Sequence, residues 1–406
     1  MVAIAALDFA LEGATREPSS TISNFQAEKT SVQQEFAHQQ YGTAIRLMRN
    51  SIAGKNIDIR CTLIGCIVIA CYEALNGNND MAAVHIRSGS ALLENWDHKI
   101  TQQKTDDCPA LVVCRPTPVY DRMRQAFESL DIQMFSFVYI RTKEAHDRVR
   151  QYGTSTNWPM PAAFELPKQA LAYHECIMRR ILHFNTSISA NADHAACAEM
   201  KSSTLRNASI RKREYQAELQ SFYRAFEPLY QYGHTPAGAK KYHPLIAIKG
   251  LYLATCLIID GIPIEPFDAA DFEGTSLSIL DEIASLSEIL RRPDGRGTSR
   301  LLIVEPLYLV GMKCRHIATR RRALALFLSS KGNDTPWSGR LVRKALAWIA
   351  DIEEVDAAGG GFLPPNTGVI DMKYYFDSNG RGIRIKCWLL KRDVQRPVER
   401  SITIQV

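Results

Sequence analysis

Among the side chains able to do chemistry, the cysteines are the first candidates, as metal ligands. The chain holds ten cysteines. A binuclear zinc cluster needs two Cys-x-x-Cys pairs plus two further thiolates, because each short pair pinches one metal. No Cys-x-x-Cys occurs in the 406 residues. Cys61, Cys66 and Cys71 recur five apart inside an apolar run, a spacing that spreads them around a helix and suits small buried side chains. Cys108 and Cys114 flank a short loop and read as an accidental pair. No His-Glu-x-x-His helix occurs either, so no metal site is expected.

Nucleotide and nucleophile chemistry leave equally little. There is no Gly-x-x-x-x-Gly-Lys-Ser/Thr loop and no complete Gly-x-Gly-x-x-Gly. Gly295-Arg296-Gly297 and Gly380-Arg381-Gly382 read as turns, and the alternating strands and helices of a dinucleotide fold are missing. No cofactor is expected. No Gly-x-Ser-x-Gly elbow exists, and Ser88-Gly89-Ser90 falls inside a predicted helix. The ten histidines are dispersed from His38 to His316. His174-Glu175-Cys176 is the tightest group of base, acid and nucleophile. Neighbours on a helix point about 100° apart, so these three should not converge on one substrate atom. The sequence assigns no catalytic residue.

The elements that would position such groups are helical almost throughout. Phe36, Ala44, Ile45, Leu47, Met48 and Ile52 form an amphipathic run ended by Gly54. Residues 58–75 are apolar nearly all round, as a central helix would be. Asn76-Gly77-Asn78-Asn79 breaks the chain before a second helix reaching about Trp96, which makes the two antiparallel neighbours. Met123, Phe127, Leu130, Met134 and Phe137 step by helical intervals, as do Tyr215, Leu219, Phe222, Phe226 and Leu229. Further helices fit 163–184, 243–259, 276–291, 300–328 and 337–355. After the Gly/Pro-rich 357–368, residues 372–377, 383–390 and 401–406 read as a small antiparallel sheet, with Ser378-Asn379-Gly380 as a turn. The expected organisation is a tail over 1–32, a helical domain over 33–356 and a linker with a β-rich segment over 357–406. The fold class is mostly α, a large multi-helix bundle with a small antiparallel β appendage.

Composition narrows the class. At 46% hydrophobic and 23% charged, the chain can build a core. Its net charge of +6 is scattered in short runs such as Arg179-Arg180, Arg211-Lys212-Arg213 and Arg320-Arg321-Arg322. A nucleic-acid footprint would be one dense stripe. The N-terminal MVAIAALDFALEG lacks a basic region ahead of its apolar run, and the apolar stretch Thr62 to Leu75 is too short to span a bilayer. An intracellular protein, nuclear or cytoplasmic, with reduced cysteines and no membrane contact is expected.

Two blocks carry a resemblance. Residues 41–96 include YGTAIRLMRNSI and TLIGCIVIACYEALNGNNDMAAVHIRSGSALLENW; residues 306–354 include PLYLVGMKCRHIATRRRALALFLSS and PWSGRLVRKALAWIADIEE. Together they resemble the regulatory domain of fungal zinc-cluster transcription factors. The resemblance implies that His85, Ser88, Gly89, Cys314, Arg315, Trp337, Glu353 and Glu354 are structural positions. The family's zinc cluster has no counterpart in this sequence. The resemblance implies a transcription-factor-like regulatory module, linked to specialised metabolism, that binds a protein partner, a second copy or a small metabolite in a helical pocket, with no sequence-specific DNA binding alone. The alternative is a helical body recruited as a cofactor-independent cyclase or isomerase.

Overall fold

A computed structural model describes residues 23–53, 59–76, 78, 81–93, 118–135, 159–191, 198–262, 264, 269–291, 306–329, 340–354, 361–363, 368–376, 382–391 and 394–405. Its helices in chain order are α1 (Ser23–Ala53), α2 (Ile59–Leu75), α3 (residues 81–93), α4 (Pro118–Phe135), α5 (Pro167–Asn191), α6 (Ala198–Gly233), α7 (Tyr242–Asp260), α8 (Ala269–Arg291), α9 (Pro306–Lys313), α10 (Ile317–Ser329) and α11 (Arg340–Glu354). Strands β1 (Gly368–Phe376), β2 (Gly382–Lys391) and β3 (Val394–Gln405) follow. The mostly α class with a small antiparallel sheet near the C-terminus is therefore observed.

Local chemistry sets several helix ends. Helices α4, α5 and α9 each open on a proline, whose fixed φ suits a first turn and whose missing N–H is not needed there. Between α2 and α3, Asn76 N–H donates to the Tyr72 carbonyl at 2.9 Å and Asn78 N–H to that of Glu73 at 2.8 Å. Ala82 N–H then donates to the Asn78 carbonyl at 3.0 Å, which starts α3. Gly77 and the turn Ser378-Asn379-Gly380 lie outside the described residues, as do Met134, as a side chain, and Phe137.

Helix α7 is the centre of the main core. Thirteen of its nineteen residues are buried, because α5, α6, α8 and α9 all pack on it. Tyr215, Leu219, Phe222, Phe226 and Leu229 of α6 are all buried along the expected stripe. By length and composition α7 with its preceding turn could cross a membrane, but 72% of that apolar window is buried inside the fold. A second, smaller core joins α2, α3 and α4 through Leu63, Cys66, Ala70, Ile86, Met123 and Phe127. It is tight where it closes: a Cβ on Gly89 would lie 2.3 Å from the Phe127 ring. Helix α4 serves both cores, since Ile132 at its other end belongs to the main one.

The sheet is antiparallel in the order β1-β2-β3. Ile385, Cys387 and Leu389 alternate as buried residues of β2, and the first two meet Ile349 of α11 in a third cluster. The register shifts between Leu389 and Lys391 opposite Val398 and Val394. Pro397 falls in that irregularity, where a residue without an N–H costs no ladder bond.

Two boundaries differ from the sequence reading. Helix α1 begins at Ser23, so residues 23–32 are helical rather than part of a tail. The helix expected over 300–328 breaks at Cys314-Arg315-His316. The break is held by partners far along the chain: Ile317 N–H donates to the Gly361 carbonyl at 2.9 Å, and Leu363 N–H to that of Arg315 at 2.8 Å.

Candidate functional site

The three members of His174-Glu175-Cys176 diverge, as one helix face after another requires. His174 is fully buried against Phe222, with ring centroids 5.3 Å apart. Its Nε2 lies 3.3 Å from Thr255 Oγ1, whose hydroxyl donates to the Leu251 carbonyl at 2.8 Å. That leaves His174 Nε2–H as the donor and fixes the tautomer. Burial pushes its pKa down to about 3, so the ring is neutral at physiological pH and too weak a base for proton abstraction there. Glu175 turns toward α4, where Ser129 Oγ lies 2.9 Å from both carboxylate oxygens. Burial pushes it up to about 7. Burial also raises the Cys176 thiol to about 11, which removes thiolate character.

Glu175 belongs to a polar seam between α4, α5 and α6 that sequence reasoning did not find. Buried Asp131 accepts from Arg179 Nε at 2.6 Å and lies 3.6 Å from His183 Nε2. Arg180 pairs with Glu218 of α6 at 2.5 Å. Burial holds Glu128 above the usual carboxylate range, with Arg179 and Arg124 opposing. The seam lies where α4 passes from the small core to the large one. Its partners sit about forty or more residues apart in sequence, so no local motif signals it.

A second polar knot ties α8, α10, α11 and the sheet. Arg320 is buried and pairs with Glu353, whose other oxygen accepts from Val369 N–H of β1 at 2.6 Å. Arg321 pairs with Glu354 at 2.5 Å and Arg322 with Asp281 at 3.2 Å. All three arginines of the 320–322 run thus make intramolecular ion pairs. Of the resembling positions, Arg315 donates to the Leu363 carbonyl at 3.0 Å, Cys314 is buried near the Leu257 carbonyl, and Gly89 gives room to Phe127. His85 is half-buried on α3 and Ser88 is exposed there; Trp337 lies outside the described residues.

A third group joins α6, α7 and α8. Lys249 Nζ lies 3.1 Å from the Tyr223 hydroxyl, 4.3 Å from that ring's centroid and 3.7 Å from Glu282. Tyr223 and Tyr252 stack at 4.9 Å. The cation–π contact with its phenol hydrogen bond holds a largely buried ammonium. No local motif marks this group: Tyr223 and Lys249 lie 26 residues apart, on different helices.

The open surface is elsewhere. Among the described residues, eleven large apolar side chains stand exposed, and seven of them belong to α1, α2 and α3. On α1 these are Val32, Phe36 and Leu47; on α2, Ile64; on α3, Met81, Val84 and Leu92. Phe36 and Leu47, members of the expected amphipathic run, are 44% and 61% exposed. The side of α1 that does pack carries Ala37, fully buried, and Tyr41, stacked on Tyr72 at 4.0 Å and hydrogen-bonded to Glu73. His38 Nδ1 meets the Tyr72 hydroxyl at 2.6 Å, and Met48 lies over Gly65 of α2. No protein-family model, curated protein or solved structure matches the chain.

Proposed function

We propose that this chain is a regulatory module of the fungal transcription-factor type, that it carries no zinc cluster within these 406 residues, and that it works by binding a protein partner through α1–α3. The concentration of exposed apolar side chains on those helices carries the reading. The buried ionisable groups fit the same reading, since Asp131, Arg179, Arg180, Arg320 and Glu353 are engaged in ion pairs within the chain. The family assignment rests on the resemblance of residues 41–96 and 306–354, which take in the end of α1 with α2 and α3, and α9–α11. The module acts in the nucleus and does not select a DNA sequence alone. A competition assay with random duplexes at physiological salt then enriches no motif; enrichment of one would overturn that part.

The partner-binding reading is tested by tethering the whole chain to a heterologous DNA-binding domain upstream of a reporter in a fungal host. The tethered chain should change reporter output, and Phe36→Glu with Leu47→Glu should abolish the change. No effect of the wild-type chain, or an effect that survives both substitutions, defeats the reading. The second reading, a recruited isomerase or cyclase, is favoured by one observation, the Tyr223–Lys249 pair at 3.1 Å, an ammonium able to stabilise a phenolate during proton transfer.

A further inference from the structure

We propose that the partner of the α1 face is a second copy of this chain, docked α1 against α1 in antiparallel orientation. This rests on the reading of the N-terminal helices as a partner-binding face. At about 100° per residue, Val32, Phe36, Thr43 and Leu47 fall within an arc of about 60°. Ala37, Tyr41 and Met48, which face α2, lie about 130° round the helix. Helix α1 therefore has two apolar sides, and one of them is open over about 22 Å between Val32 and Leu47.

The charges choose the orientation. Glu35 and the exposed Arg46 lie on the same flank of the open stripe, about 20° apart in projection, with Glu35 toward the N-terminal end. A two-fold axis perpendicular to two antiparallel helices brings the same flank of each together. With the axis level with residues 41 and 42, Phe36 comes level with the partner's Leu47, and Glu35 lies two residues, about 3 Å along the axis, from the partner's Arg46, within reach of both long side chains. In a parallel pair, by contrast, each Glu35 would lie level with the partner's Glu35, on opposite flanks, and neither acid would meet a base. At the midpoint of the open stripe stands the exposed Thr43, a short side chain that lets two helices pack through the larger ones on either side.

Sedimentation equilibrium of the full chain between about 1 and 100 µM tests the proposal. The mass should rise from 45.6 kDa toward twice that value. Phe36→Glu and Leu47→Glu should each raise the dimer Kd about tenfold or more, with circular dichroism and thermal midpoint of the monomer unchanged because both side chains already face water. Glu35→Arg and Arg46→Glu should each weaken the dimer, and the double reversal should restore it. A mass that stays at 45.6 kDa throughout, a dimer indifferent to the glutamates, or a double reversal that restores nothing overturns the proposal. A monomer whose reporter effect is still lost with Phe36→Glu and Leu47→Glu defeats self-pairing alone. A dimer broken by those substitutions with an unchanged reporter defeats the regulatory reading alone.

Discussion

Helices α2 and α7 are both apolar nearly all round, yet they have different fates. Helix α7 is enclosed by four neighbours and buries thirteen residues. In α2, Leu63, Ala70 and Tyr72 are buried, while Ile64 is half exposed and Cys61 faces solvent. Composition states that a helix gains by being covered; the number of helices that reach it decides how much is. The large core is complete within the chain, whereas the small one stops with an apolar side still open.

Paired truncations test that contrast most strongly. Ile258→Ala, in α7 and fully buried, should cost about 2–5 kcal/mol in urea unfolding. Next comes Gly89→Ala, which asks whether the small core is loose or merely incomplete. The added methyl collides with Phe127, and the strain should outweigh the better helix propensity, for a net loss of about 1–2 kcal/mol. An unchanged stability would show a slack core.

The seam between the two cores supplies a pH test. Glu175 ionises near 7 in the folded chain and near the ordinary 4.3 when unfolded. Between those values the native state holds a proton that the unfolded state has released, so stability should fall as pH rises from about 4 to 7 and then level off. Glu175→Gln should remove that slope and raise stability at pH 8 by about 1 kcal/mol or more, with little effect at pH 4. Thermal midpoints across the range measure it; parallel profiles for the two proteins would deny the seam its role. The smallest effect belongs to Ile64→Ala, within about 0.5 kcal/mol. A cost near that of Ile258→Ala would erase the distinction between the helices.

Much of the large core was legible because it depends on period alone. The stripe from Tyr215 to Leu229 lies where the spacing puts it, and in the separate sheet the strand expected over 383–390 is present as β2. The divergence of His174, Glu175 and Cys176 followed from helix geometry in the same way. What depends on distant partners was not legible. Nothing near Glu175 announces Ser129, and nothing near Cys314 announces the hydrogen bonds from the segment at Gly361 that hold α9 apart from α10. The open face of α1 was not legible for a related reason: periodicity places Phe36 and Leu47 in an amphipathic run but does not say which apolar side has a neighbour.

The doubly engaged carboxylate of Glu353 bears on how this sequence can drift. Arg320 and Val369 both depend on it, so changes at 320 and 353 are coupled, and each order of change passes through an intermediate with one group stranded. The two orders are unequal. If Glu353 is lost first, a buried guanidinium remains that cannot shed its charge. If Arg320 is lost first, the carboxylate keeps its hydrogen bond from Val369 N–H. Lineages that replace this pair with apolar side chains should therefore do so through the arginine.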